Sequence, residues 1–349
     1  MNEKATIYEV ARLSGVSTAT VSRVMHDGVG FSEATRKTVL EAAAALGWVP
    51  NHSARSLARR RAGLVGLLFP DFDAEGTAED ESPLFVDQVI RGAERAATLA
   101  GDAIVLAATR GRGGGDLARS LVGKVDGLVV LAGSLGAKDL EAISAAVPVV
   151  VLAAHPTRNK LDFVEADNRG GADAATRHLL EEHGLTDLAY VAGPARSPDS
   201  RERFVGFADA LKAVGLSAPT APEAHGGFTQ AGGARAAEEL LGKRRKAPQA
   251  IVFGNDEMAV GGAATLRARG LRVPDDIAIT GFDDIASARH VEPTLTTVRQ
   301  PMRDIGETAV RTLLDRIAEP DAPRHTIMLP TSLVVRASCG CPDPGGLGR

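Results

Sequence analysis

The chain has 349 residues, of which 44% are hydrophobic and 24% charged, and its formal net charge is −4. This composition is ordinary for a soluble globular protein of two or three domains, and it excludes a disordered, collagen-like or coiled-coil chain. No apolar run approaches the roughly 20 residues needed to cross a bilayer and no signal segment opens the chain, so we expect a cytoplasmic protein with no membrane partner.

The charge is unevenly distributed along the chain. Residues 1–61 contain nine Lys or Arg and five Asp or Glu, a net charge of +4, which leaves −8 for the remainder. A small basic head on a larger acidic body indicates that the head neutralises phosphates, as a nucleic-acid-binding segment does.

Three short helices are predicted in the head. The capping-box pattern Thr6–Glu9 begins a helix that reaches about Leu13, and Gly15 permits the turn that follows. Ser17 caps a second helix, and a third is predicted over Ser32–Gly47. Two short helices joined by a glycine-containing turn form a helix-turn-helix.

The second helix is predicted to lie in the DNA major groove with its N-terminal residues against base edges. Arg23 can donate to guanine O6 and N7 together, which is worth roughly 1–3 kcal/mol of discrimination. Thr18 and Ala19 suit thymine methyl groups, and the small hydroxyl residues suit phosphates. The predicted DNA contacts of the head are Thr6, Ser17, Thr18, Ala19, Thr20, Ser22 and Arg23.

A basic segment follows the head. Asn51 can cap a short helix over the next turns, but short isolated helices are marginal in water, so this one needs a surface to order it. Leu57 can wedge between base steps in a minor groove. The predicted contacts are Asn51, Ala54, Arg55 and Leu57. A flexible basic linker in the absence of DNA remains an open alternative.

The order of these motifs resembles one family closely. Residues 5–71 resemble the DNA-binding head and hinge of the LacI/GalR family of bacterial transcriptional regulators. The matching motifs are Thr6–Ala11, Ser14–Ser17, Thr20–Val24, Leu46–Asn51 and Ala54–Leu57. The resemblance implies a hinge helix that orders on operator DNA, a leucine at Leu57 inserted at the central base step, and a homodimer on a pseudo-palindromic site.

Beyond residue 62, apolar strands alternate with helical stretches in two series. Repeated units of this kind predict parallel sheets with helices on both faces, in two lobes that bind a ligand at the carboxyl ends of their strands. The predicted strands are 64–69, 103–106, 127–131, 149–152, 188–191, 250–253 and 277–280, with a helix at about 84–100.

The body also resembles the periplasmic-binding-protein-like core of the same family. This implies two doubly wound lobes that exchange segments near 162–167, 293–298 and 324–330. The expected organisation is an all-α helix-turn-helix domain at 1–49 and a hinge at 50–62, followed by an effector-binding and dimerisation core at 63–337. Lobe 1 takes about 63–164 and 295–322, lobe 2 takes about 165–294 and 323–337, and 338–349 form a tail.

The resemblance also implies which residues bind an effector. Arg203, Asn255 and Asp283 occupy the matching positions, and their donor and acceptor groups suit a sugar of the size of a mono- or disaccharide. Phe72 and Phe228 are expected to supply apolar faces. Ala153-Ala154 stands where the family often has a polar residue, and the acidic loop 71–82 is longer than usual, so a cationic or bulky effector is also open.

Other functions fit the sequence less well. Gly111–Asp116 fails the dinucleotide pattern because Asp116 takes the place of the third glycine, and no paired catalytic set appears. A solute-binding protein would share the body but would need a signal peptide and no helix-turn-helix. A co-repressor-dependent regulator that responds to a non-sugar metabolite remains open. Cys339 and Cys341 alone lack the other ligands of a zinc site, so we expect no metal, no cofactor and no catalytic residue.

Overall fold

The computed structural model describes residues 5–25, 30–48, 61–70, 84–109, 114–154 and 161–342. The chain divides into two compact units, the head of residues 1–62 and the core of residues 63–349. Among the described segments, no helix has the length and apolar character needed to span a bilayer.

The head is built from three short helices, α1 (Ile7–Ser14), α2 (Thr18–Val24) and α3 (Glu33–Ala45). Gly15 takes φ 69°, in the left-handed region, which lets the chain turn sharply between α1 and α2. The buried side chains that hold the three helices together are Val10, Ala11, Val21, Val24, Val39, Ala42 and Ala43. The predicted helix-turn-helix is confirmed.

The first lobe of the core is a parallel sheet with helices on both faces. Its strands are β1 (Leu64–Pro70), β2 (Ala103–Thr109), β3 (Gly127–Leu131), β4 (Val149–Leu152), β5 (Asp162–Ala166) and β11 (Thr326–Leu329). They lie in the order β11-β5-β4-β3-β1-β2. The helices are α4 (Leu84–Leu99), α5 (Gly114–Leu121), α6 (Ala137–Ser144) and α11 (Met302–Ala318).

Strand β3 shows why both faces must be covered. Val129 belongs to the apolar cluster that contains Val89 of α4 and Ile305 of α11. Its neighbour Leu128 points the other way, into a cluster with Ile143 of α6. Because successive side chains of a strand face opposite sides, a strand that is apolar throughout is buried on both.

The second lobe repeats this arrangement on a smaller scale. Its strands are β6 (Leu188–Ala192), β7 (Ala224–His225), β8 (Ala250–Phe253) and β9 (Ala278–Thr280), all parallel, in the order β7-β6-β8-β9. Its helices are α7 (Asn168–Arg177), α8 (Pro198–Ala213), α9 (Gln230–Lys243) and α10 (Asp256–Ala268). A π-helical turn, His178–Glu182, continues α7.

The chain passes between the lobes in three places, near those that the resemblance implies. It leaves the first sheet after β5, returns through β10 (Thr297–Arg299) to α11, and leaves again between β11 and β12 (Ser332–Val334). Strands β10 and β12 pair antiparallel with each other. Three segments of the chain therefore join the two lobes.

Two of the expected boundaries are wrong. The expected organisation puts residues 326–329 in lobe 2, but β11 pairs with β5 in the first sheet. The buried carboxylate of Asp162 fixes this pairing, because it accepts hydrogen bonds from the Arg316 guanidinium at 2.9 and 3.0 Å and from the His325 amide at 2.8 Å.

The expected tail also begins too early. Ala337–Cys339 form a 3₁₀ turn, and Ser338 is fully buried. The Ser338 hydroxyl donates to the Ile279 carbonyl at 2.7 Å and accepts from the Thr296 amide at 2.8 Å. The residues that follow β12 are therefore part of the second lobe.

Candidate DNA-binding and effector sites

Side-chain caps fix the start of each helix in the head. The Ser17 hydroxyl accepts from the Thr20 amide at 3.2 Å at the start of α2. The Glu9 carboxylate accepts from the Thr6 amide at 2.7 Å and from the Thr6 hydroxyl at 3.0 Å. Such caps are worth about 1 kcal/mol each. They set the position at which the predicted recognition helix α2 begins.

Helix α2 buries one side and leaves the other open. Val21 and Val24 are buried in the head. Ser17, Ala19 and Arg23 are exposed, whereas Thr18, Thr20 and Ser22 are half-buried. The residue types that can read base edges therefore lie on the accessible side of the helix, as docking in a major groove requires. Thr6 is also exposed, at the start of α1.

Five of the predicted site residues lie outside the described residues. They are Asn51, Ala54, Arg55 and Leu57 of the hinge and Phe72 of the acidic loop. Their assigned contacts remain predictions.

The four other predicted effector residues all belong to the second lobe. Asn255 follows β8 and Asp283 follows β9, so both stand at the carboxyl edge of the second sheet. Arg203 lies on α8, and Phe228 precedes α9. Arg203, Phe228 and Asp283 are brought together, because the Arg203 guanidinium lies 5.5 Å from the centre of the Phe228 ring and 3.3 Å from an Asp283 oxygen.

Arg203 is held in one orientation by three kinds of contact. Its Nε donates to Asn168 Oδ1 and its Nη1 donates to the Gly254 carbonyl, both at 2.7 Å. Its guanidinium also lies 3.8 Å over the Phe282 ring, a cation–π contact. Together these contacts fix the orientation of the guanidinium.

Asp283 is a buried carboxylate in an unusual backbone conformation. Its φ is 123°, and Phe228 also takes a positive φ, of 67°. Such conformations cost of order 1–3 kcal/mol and cluster at ligand sites. One Asp283 oxygen accepts from Gln300 Nε2 at 2.6 Å. Burial raises the pKa of Asp283 to about 6, although Arg203 and Gln300 partly offset that rise.

A second carboxylate, which sequence reasoning missed, lies beside this pair. Asp199 accepts from Asn168 Nδ2 at 2.9 Å, so Asn168 links Asp199 to Arg203. Burial also raises the pKa of Asp199 to about 6, and the negative charge of Asp283 adds to the effect. The Arg203 guanidinium thus lies near two buried carboxylates, Asp199 and Asp283, whose pKa values are both raised.

Tyr190 is a further residue that the sequence did not reveal. It is almost fully buried on β6, and its hydroxyl has no hydrogen-bond partner among the described residues. The hydroxyl lies beside Gly254, the residue whose carbonyl accepts from Arg203. Burial raises the pKa of Tyr190, so the hydroxyl stays protonated and keeps a proton to donate.

Asn255 has a positioning role in the structure. Its Oδ1 accepts from the Met258 amide at 3.0 Å and caps α10, and its Nδ2 donates to the Phe228 carbonyl at 3.2 Å. Both ends of its amide are therefore engaged. The side chain fixes Phe228 relative to β8, and direct contact of Asn255 with an effector remains a prediction.

The neighbouring acids stabilise the fold around the site. Asp256 is fully buried and accepts from the Ile285 amide at 3.0 Å. Asp284 accepts from Arg299 Nε at 2.7 Å and is also paired with Arg336. Burial raises the pKa of Asp284, but the hydrogen bonds from these arginines outweigh burial and hold it below its usual value.

Known protein families match both units. Residues 6–51 match "Bacterial regulatory proteins, lacI family", and residues 176–339 match "Periplasmic binding protein-like domain". The ribose operon repressor of Escherichia coli (strain K12) is 34% identical over 339 residues, which cover 96% of this chain and 99% of that protein. The chain belongs to the LacI family. It is therefore a DNA-binding repressor controlled by an effector.

Other LacI-family proteins are similar over nearly the whole chain. The regulator CelR of Thermobifida fusca is 34% identical over 345 residues, covering 96% of this chain and 98% of CelR. The structure of the lac repressor dimer bound to operator and the anti-inducer ONPF superposes with a TM-score of 0.82 at 27% identity, covering 97% and 99% of the two chains. A CelR–cellobiose complex superposes with a TM-score of 0.71 at 33% identity, covering 96% and 99%. The predicted family and fold class are confirmed.

Proposed function

We propose that this LacI-family chain binds a pseudo-palindromic operator as a homodimer in the cytoplasm and releases it when a mono- or disaccharide binds in the core. The sugar contacts Arg203, Asp283 and Phe228, with Asn255 and Phe72 at the edge of the site. The DNA contacts are those of α2 together with Thr6 and the four hinge residues.

The buried Arg203–Asp283 pair at the edge of the second sheet carries this proposal. The Arg203 guanidinium is a hydrogen-bond donor, the Asp283 carboxylate is an acceptor, and the nearby Phe228 ring offers an apolar face. The hydroxyl groups of a sugar accept hydrogen bonds from the guanidinium and donate them to the carboxylate, and the C–H surface of the sugar packs on the Phe228 ring. The CelR–cellobiose complex is a structural relative in which a sugar is bound.

The balance of charge among Arg203, Asp199 and Asp283 indicates whether the effector is charged. Asp199 and Asp283 together carry more negative charge than Arg203 neutralises, and burial opposes the ionisation of both. An anionic effector such as a sugar phosphate would add a third negative charge to this desolvated site. We therefore infer an uncharged sugar.

Exposed apolar residues support association into a dimer. Leu106 on the edge strand β2 is 54% exposed, and Leu99 at the end of α4 is 70% exposed. An unpaired edge strand that carries exposed apolar side chains is suited to pairing with a second copy. Association through the first lobe leaves the ligand residues of the second lobe free.

A ligand screen joined to a DNA-binding assay tests the proposal. Thermal-shift measurements with ribose, cellobiose, lactose, glucose and the matching sugar phosphates identify an effector by its stabilisation of the wild type. The matched variant Arg203→Lys keeps the charge but loses the fixed fork of donors, so it should lose most of that response.

The same sugar is then added to the protein on operator DNA. Release of the DNA supports induction by the sugar. Tighter binding of the protein to the DNA identifies a co-repressor-dependent regulator instead. Stabilisation by sugar phosphates alone would contradict the inference of an uncharged effector, and an undiminished response in Arg203→Lys would contradict the assigned site.

A further inference from the structure

Two histidines and two cysteines converge at one place in the second lobe, away from the effector residues. His178 begins the π-helical turn after α7, and His183 directly follows that turn. Cys339 ends the 3₁₀ turn after β12, and Cys341 comes two residues later. The ligand atoms of all four lie within 4.8 Å of one another. The sequence-based expectation that the cysteines lack further ligands is therefore wrong.

The distances between these atoms are those of a tetrahedral metal site. The two Nε2 atoms of the histidines are 3.3 Å apart. Cys339 Sγ lies 3.3 Å from His178 Nε2, and Cys341 Sγ lies 3.6 and 3.4 Å from the Nε2 atoms of His178 and His183. Usual Zn–N and Zn–S bond lengths in a regular tetrahedron give edges of about 3.3 Å between nitrogens and about 3.6 Å between nitrogen and sulfur.

The backbone is shaped to bring the four ligands together. The π-helical turn advances by one extra residue, and this places His178 and His183, five residues apart, beside each other with their rings 5.0 Å apart. Gly340, between the cysteines, takes φ 105°, and a Cβ there would lie 3.4 Å from the His183 ring. This glycine allows both sulfurs to turn toward the histidines.

We propose that His178, His183, Cys339 and Cys341 bind one Zn²⁺ ion. Two nitrogen and two sulfur ligands complete a tetrahedral zinc site and leave no open position, which is the pattern of structural zinc. Cys339 is buried and the other three are half-buried, so the site is close enough to the surface for the ion to enter.

The ion fastens the C-terminal segment to the second lobe. The segment between β12 and Cys341 carries Ser338, which is hydrogen-bonded to Ile279 of β9 and to Thr296, the residue that precedes β10. The histidines lie in and directly after the π-helical turn that continues α7, and α7 begins with Asn168, the partner of Arg203. Zinc thus ties the segment that follows β12 to the helix that supports the effector site.

Metal content of the full-length protein tests the site. Protein produced with added zinc and purified without chelators or a polyhistidine tag, under reducing conditions, should contain about one zinc per chain by mass spectrometry. Reconstitution of the metal-free wild type with Co²⁺ should give the intense visible absorption and the sulfur-to-cobalt charge-transfer band of a tetrahedral thiolate site. This spectrum needs no variant, so it tests the proposal even if a substitution prevents folding.

Three variants locate the ion. Cys341→Ser and His183→Ala should lose most of the zinc and most of the cobalt absorption, and chelation should lower the melting temperature of the wild type more than theirs. His290→Ala is the matched control, because His290 is exposed and lies outside the cluster; it should retain wild-type zinc. Folded wild type with no bound zinc and no tetrahedral cobalt spectrum would overturn the proposal, as would equal zinc in all variants.

Discussion

Replacement of Asp283 by asparagine removes the charge of the carboxylate and keeps its shape. The side chain still accepts a hydrogen bond from Gln300, and Arg203 keeps its bonds to Asn168 and Gly254. The effector loses a charged acceptor, and hydrogen bonds to charged groups contribute roughly 1.5–3 kcal/mol. We therefore expect sugar affinity to fall by roughly 10- to 100-fold while operator binding without sugar is unchanged.

The same variant changes how stability depends on pH. The pKa of Asp283 is raised from 3.8 to about 6 in the folded protein. Between these values the folded state holds a proton that the unfolded state has lost, so the free energy of unfolding rises as pH falls through about 6. For one such carboxyl, the rise between pH 7 and pH 5 is about 1.4 kcal/mol, or a melting temperature higher by roughly 2–3 °C.

Thermal melts of wild type and Asp283→Asn at pH 7 and pH 5 measure this difference. On acidification from pH 7 to pH 5, the free energy of unfolding of the wild type should rise by about 1.4 kcal/mol more than that of the variant. Asp284→Asn is the matched control, because the pKa of that adjacent aspartate is lowered; it should lose stability at pH 7. An Asp283→Asn protein that gains as much on acidification as the wild type would refute the assigned ionisation of Asp283.

Three other substitutions probe the remaining parts of the account. Arg316→Leu leaves the Asp162 charge buried without its bidentate partner, so urea unfolding should show a loss of about 3–5 kcal/mol; a loss below about 1 kcal/mol would contradict the role of this pair in fixing β11. Arg23→Ala should cost about 1–3 kcal/mol on operator DNA and relax specificity at one position, and an equal loss on random DNA would argue against base contact. Ser17→Ala removes the cap of α2, so the head should lose about 1 kcal/mol of stability and operator affinity should fall; an unchanged melting profile of the head would contradict that role.

Local sequence patterns correctly predict those features that depend only on neighbouring residues, such as a strand or a helix cap. The sequence predicts the strand at 127–131 with its observed bounds, because five successive apolar residues fit a strand that is buried on both faces. Ser17 was identified as a cap because a serine before a helix has one common use. The sequence does not predict the lobe of β11 correctly, because only the pairing of β11 with β5 shows to which sheet it belongs.

The parts of the sites that were missed depend on residues far apart in the sequence. Asn168 and Asp199 are 31 positions apart, so their spacing in the sequence gives no sign that they meet. His178 and Cys339 are 161 positions apart, so the spacing of the cysteines could not indicate their partners. Periodicity reports on neighbours along one helix or strand. It carries no information on which ends of two elements the fold brings together.

Operator binding measured with and without sugar tests the central claim most directly. A two-fold symmetric DNA fragment selected by the full-length protein is titrated at several salt concentrations, first alone and then with the sugar that stabilises the wild type. The account predicts salt-sensitive, sequence-selective binding that the sugar weakens by at least about fivefold, and Arg203→Lys should bind the same DNA without responding. Binding to selected and random DNA with equal affinity, whether or not sugar is present, would contradict the account.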